Sequence, residues 1–203
     1  MADITAQAVN EFRKKTGLGL MECKALLKEA DGDMKKAETM AKERGLKQAE
    51  LRAGRAAKAG RIEVYIHHDA KSGVMIELNC ETDFVARNDE FKQLAKDLAL
   101  HVMAANPLFV RREDVPEDIV AEQQRIFMAQ VADKPQNIQE KIATGKLDAW
   151  YKESVLMDQQ FVKDEARSIR EMIQEVNART GENITVTRFA RFVVGEASQT
   201  AAE

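Results

Sequence analysis

The stretch "RIEVYIHHDAKSGVMIELNCETDFVARND", Arg61 to Asp89, decides the fold. Before it, apolar residues recur at helical spacing. Within it the period drops to two. Ile62, Val64 and Ile66 share one strand face, and Val74, Ile76, Leu78 and Cys80 share another. "HDAKSG" joins the two runs, which makes a β-hairpin. Past Asp89 the helical period resumes, with Phe91, Leu94, Ala95, Leu98 and Val102 in one stripe. The corner between strand and helix holds Asp83-Phe84. An exposed Phe forgoes about 1.5–3 kcal/mol of burial energy. On the residues alone, Phe84 either caps the core at this corner or points outward as a contact.

Working towards the N-terminus, three helical patterns fill the first 45 or so residues. The first runs from about Ile4 to Lys15, with Ala8, Val9 and Phe12 inward and Gly17 as stop. The second carries Cys23, Leu26, Leu27 and Ala30 and stops at Gly32; the third carries Met34, Ala37 and Ala41, with Gly45 just past its end. Three short helices make a bundle with a thin core, of the kind used for docking. "LKQAELRAGRAAKAGR" then has high helix propensity but no apolar stripe, and reads as a basic linker, helical in part. Working towards the C-terminus, Asp114 in "DVPE" and Asp133 in "DKPQ" read as N-caps of two helices carrying Ile119, Ile126 and Phe127, and Ile138 and Ile142. A last helix is expected from about Lys163 to Arg179, closing at Gly181, and "NITVTRFARFVV" is a strand that can join the hairpin. The class is therefore α+β: an N-terminal three-helix bundle, then a small antiparallel sheet packed with helices.

Composition narrows the function. Of 203 residues, 44% are hydrophobic and 32% charged, which suits a globular protein with a real core. No apolar run reaches the roughly 20 residues of a membrane span, and no basic-then-apolar start marks a secretory signal, so a cytoplasmic protein is expected. Lys and Arg outnumber Asp and Glu 13 to 9 in residues 1–60 and trail them 18 to 25 in residues 61–203. That split argues weakly for an acidic partner of the basic part. Cys23 and Cys80 are far apart, both at apolar-periodic positions, and read as buried thiols.

The motifs of nucleotide, metal and acyl-transfer chemistry are missing from the chain: no G-x-x-x-x-G-K-[ST], C-x-x-C, H-E-x-x-H or G-x-S-x-G. His67, His68 and Asp69 are adjacent in the hairpin turn, but strand neighbours point to opposite faces, which works against joint ligation. His101 in "LALHVMAA" reads as an interior or boundary His with a polar partner. No cofactor, metal or catalytic set is expected.

Three segments carry a family likeness: "TGLGLMECKALLKEADGDMKKAETM", "CETDFVARNDEF" and "FARFVVGE". In order and spacing they resemble elongation factor Ts, the guanine-nucleotide exchange factor of elongation factor Tu. The resemblance implies a ubiquitin-associated-like domain over residues 1–47 and self-association of a single α+β core over 61–197; between and after them the composition reads as a basic linker over 48–60 and a polar, disordered tail over 198–203. Thr82, Asp83, Phe84 and Val85 match the family's functional signature, which implies that this segment disturbs the Mg²⁺ site of elongation factor Tu. Met21 and Lys24 fall where the family motif places a second partner contact. Longer members have two core halves, one with a His-Gly pair before Arg-Ile. This chain has room for one core and carries Lys58 at the position of that His, so its role is not carried over. "MDQQFVKDE" resembles the segment before the family's last helix, with Gln160 where Pro is usual. A homodimer through the core sheet, at Thr185 to Val194, is expected in place of the missing half, with no membrane and no specific nucleic acid as partner. The alternative is an RNA- or ribosome-associated adaptor without exchange activity, using Arg52, Arg55 and Lys58.

Overall fold

The computed structural model describes residues 4–52 and 54–196; the expected tail at 198–203 lies outside them. The protein is α+β, with N-terminal helices followed by a small antiparallel sheet packed with helices. Its described residues form two compact units, one within residues 4–60, 79–91 and 173–185, the other within 61–78, 92–172 and 186–196.

The first unit opens with α1 (Ala6–Thr16), α2 (Leu20–Glu29) and α3 (Met34–Arg52). Thr5 caps α1 by accepting from the Ala8 N–H at 3.2 Å. Gly17 ends it at φ 70°, a left-handed conformation that only glycine adopts without strain, and donates to the Arg13 carbonyl. Val9, Phe12, Cys23, Leu26, Leu27, Ala30 and Ala37 make the core of the bundle. The third helix departs from the sequence expectation. It does not stop at Gly45 but continues to Arg52, because the following Leu, Lys, Gln, Ala and Glu are strong helix formers that outweigh one glycine, a cost of about 1 kcal/mol.

The second unit contains most of the hairpin, β1 (Ala59–Ile66) and β2 (Ser72–Cys80), and most of β5 (Thr185–Val193), which lies on the other side of β2 in the order β1-β2-β5. The turn closes through the His67 N–H donating to the Ser72 carbonyl, and β5 is tied by the Val194 N–H donating to Lys71 and by the Arg188–Glu77 ion pair at 2.8 Å. Val74, Ile76 and Leu78 are buried, as are Leu94, Ala95, Leu98, Ala99 and Val102 of α5 (Asp89–Ala105). Ile62, Val64 and Ile66 do share a face, but it is an open one. With Met75 and Phe192 they leave an exposed apolar surface, on which Val64, Ile66, Met75 and Phe192 line a groove of about 360 Å³.

α6 (Glu117–Ala129) and α7 (Gln136–Ser154) pack together in this unit. Neither begins at the expected aspartate. Val115 precedes Pro116 and is held extended (φ −79°, ψ 121°), so α6 starts only after the proline. Asp114 instead accepts from the Arg111 N–H and closes a 3-10 turn. Pro135 delays α7 in the same way. The last helix is also shorter than expected. α8 spans Ile169–Thr180, while Asp164–Ser168 forms β4, paired with β3 (Gln160–Phe161). The reason is a capping box: Ser168 N–H donates to Glu171, and Glu171 N–H donates back to the Ser168 hydroxyl. Gly181 (φ 76°) closes α8 as expected.

Two polar networks tie this unit together, one buried and one at its surface. His101 is fully buried; its Nε2–H donates to Gln159 Oε1 at 2.9 Å, and its Nδ1 accepts from the Val162 N–H. Arg112 lies over the Tyr151 ring, 4.6 Å from its centroid, and pairs with Asp148 and Asp158. Burial pushes the Asp158 carboxyl up, but hydrogen bonds from Arg112 and Arg170 outweigh it and hold the carboxyl below its usual range.

Candidate functional site

The corner after β2 is built by short tethers. Cys80 is buried, and its thiol donates to the Thr82 carbonyl at 3.2 Å. Burial, with the nearby charge of Glu182, pushes this thiol up to about 11, so it stays a protonated donor. Thr82 is extended (φ −132°, ψ 155°) and leads into α4 (Asp83–Ala86), a single turn. That turn is closed by the Ala86 N–H on Thr82 and the Arg87 N–H on Asp83, both at 3.2 Å. The Asn88 side chain then accepts from the Glu90 N–H and starts α5.

Four residues are too few to hold a helix by themselves. Ala86 supplies the anchor, at 9% exposure. Two residues on a helix are about 200° apart, so an inward Ala86 turns Phe84 outward, and Phe84 is 89% exposed. Thr82 and Asp83 are exposed beside it and Val85 is half-buried. The four sequence-selected residues therefore form one small projecting turn with an aromatic tip. Chemically it offers an apolar ring and two oxygen-bearing side chains, suited to pressing into another protein.

Met21 and Lys24 stand on α2 of the same unit, both exposed, with Leu20 beside them. Of the basic residues considered for RNA, Arg52 donates to the Asn177 carbonyl at 3.3 Å and Arg55 pairs with Glu81 at 3.6 Å, while Lys58 is exposed. His67 lies against Tyr65 and His68 in the hairpin turn; among the described residues no group of three His, Cys, Asp or Glu side chains could hold a metal. No helix among them is long and apolar enough to cross a membrane.

Sequence reasoning missed Glu182. Its carboxylate accepts from the backbone N–H groups of Glu81 (3.0 Å) and Thr82 (3.1 Å) and from the Thr82 hydroxyl (2.6 Å). The partners are 100 residues apart, and local pattern carries no signal for such a contact.

A family model described as "Elongation factor TS" matches residues 33–196. The chain is 45% identical over 194 residues to elongation factor Ts of Thermotoga maritima, covering 96% of this chain and 98% of that one. It is 50% identical over 198 residues to elongation factor Ts of Anaeromyxobacter dehalogenans, covering 97% and 90%. It is 49% identical over 194 residues to that of Thermodesulfovibrio yellowstonii, covering 95% and 97%.

Proposed function

This chain belongs to the elongation factor Ts family, and we propose that it promotes GDP release from elongation factor Tu in the cytoplasm, as a translation elongation factor rather than an enzyme. The observation that carries this reading is the exposed Phe84 at the tip of a tethered single-turn helix. An exchange factor must bind the nucleotide-free GTPase better than the loaded one. Coupling is reciprocal: the factor weakens nucleotide as nucleotide weakens the factor. A preorganised apolar tip does this without a catalytic carboxylate. Burying the ring of Phe84 in the partner gains about 1.5–3 kcal/mol, which can be spent on displacing the groups that hold the partner's Mg²⁺. Thr82, Asp83 and Val85 shape the contact, and Met21 and Lys24 form a second, docking contact within residues 1–47.

We further read residues 61–197 as a dimerisation core. The exposed Ile62, Val64, Ile66, Met75 and Phe192 support this, because an apolar sheet face flanked by two edge strands suits a second copy of itself. The test of the main reading is the rate of GDP release from elongation factor Tu, with and without this protein. Acceleration is expected. Salt-sensitive RNA binding with no effect on the GTPase would favour the adaptor reading instead.

A further inference from the structure

We propose that Glu182 is a positioning residue for exchange: it sets the direction of the Phe84 tip by clamping the backbone that enters α4. The proposal rests on the reading of Phe84 as the tip.

Glu182 spends its carboxylate on three donors of one dipeptide. Oε2 accepts from the N–H groups of Glu81 and Thr82, and Oε1 accepts from the Thr82 hydroxyl at 2.6 Å. The grip is returned. Glu81 Oε1 accepts from the Asn183 N–H at 2.7 Å. Two dipeptides, Glu81-Thr82 and Glu182-Asn183, thus hold each other's backbone through their acidic side chains. The far side is itself fixed: the Asn183 side chain donates to the Arg55 carbonyl at 2.9 Å, and the Ile184 N–H donates to Asn177 Oδ1 at 3.1 Å.

The grip matters for direction because of where it falls. Thr82 is the N-cap residue of α4, and its own side chain makes no capping bond. Its hydroxyl is turned to Glu182 instead. A one-turn helix takes its orientation from its ends, since its internal bonds are too few to resist tilting. Ala86 anchors one end and Glu182 the other, with Phe84 between them. Charge-assisted bonds are shorter and stronger than neutral ones, so the acid is a stiffer tether than an uncharged acceptor.

The experiment is a double-mutant cycle on GDP release from elongation factor Tu, using the full chain, with thermal unfolding measured in parallel. Glu182→Ala is expected to slow exchange about tenfold, the rate equivalent of one charged hydrogen bond. Glu182→Gln keeps an acceptor oxygen and an amide that can meet the Thr82 hydroxyl, and is expected to restore most of the rate. Combined with Phe84→Ala, Glu182→Ala should add little further loss, because the tip it aims is gone. A merely structural role would give the same loss with or without Phe84, and that additivity would overturn the proposal; so would native exchange by Glu182→Ala. Should Glu182→Ala not fold, Glu182→Asp, whose shorter side chain draws the carboxylate back from the Thr82 hydroxyl and touches no contact residue's own side chain, takes its place in the same cycle. Failure of the native chain to speed GDP release would overturn the exchange reading itself, and the proposal with it.

Discussion

Phe84 and Ala86 lie two residues apart on one helical turn and face opposite ways, one 89% exposed and the other 9%. The small residue is the anchor and the large one is free. Phe84→Ala should therefore change folding stability by less than about 0.5 kcal/mol. Phe12→Ala, in the fully buried core of the helical bundle, should cost about 3–5 kcal/mol. Urea unfolding of the two variants checks the contrast.

Gly45 sits inside α3, and a Cβ there would meet the Ala178 Cβ at 3.6 Å, an ordinary contact. Gly45→Ala should raise stability by about 0.5–1 kcal/mol, through a less flexible unfolded chain. Chemical denaturation measures it; a loss of stability would contradict the continuous helix.

Burial lowers the titration of His101 from its ordinary 6.5, against the raising effect of its bond to Gln159. The unfolded chain then binds the proton more readily than the folded one. Stability from this group is present above about pH 6.5 and is lost as pH falls towards the depressed value, by at most about 1.4 kcal/mol per pH unit. Protonation would also oppose the Val162 N–H that His101 Nδ1 accepts. His101→Gln should flatten the stability profile just below pH 6.5, as read by unfolding at each pH. Asp158, held low by Arg112 and Arg170, loses its contribution separately, as pH falls through the more acidic carboxylate range.

Cys80, pushed up to about 11 from 9.0, carries roughly a hundredfold less thiolate at pH 8 than an ordinary thiol. Labelling of the native protein with a thiol reagent should be slow at Cys80 and become rapid in denaturant. Fast native labelling would contradict the buried Cys80–Thr82 bond.

The exposed sheet face should hold a dimer together. Val64→Asp and Phe192→Asp alter side chains that the single chain leaves exposed, so each variant should fold and sediment at half the native mass. A native chain that is monomeric at micromolar concentration would contradict it.

Elements whose signals are local were legible in the sequence. Gly17 and Gly181 end their helices as read, and the hairpin and the stripe of α5 follow from periodicity alone. α6 and α7 start two residues later than the capping pattern at Asp114 and Asp133 implies, because Pro116 and Pro135 disfavour helix at the residue before them. Alternation showed that Ile62, Val64 and Ile66 share a face; which face the rest of the fold covers is a tertiary fact that alternation does not carry. At the site, the family likeness selected Thr82 to Val85, whereas Glu182 emerges only when the fold brings two distant dipeptides together.

The most direct test of the account is GDP release from elongation factor Tu, timed with the native chain and with Phe84→Ala at matched concentrations. A contact aromatic is worth about 2 kcal/mol on truncation, and each ~1.4 kcal/mol is tenfold in rate, so the variant should be about thirtyfold slower while unfolding at the native midpoint. A natively stable variant that exchanges at the full rate would contradict the account.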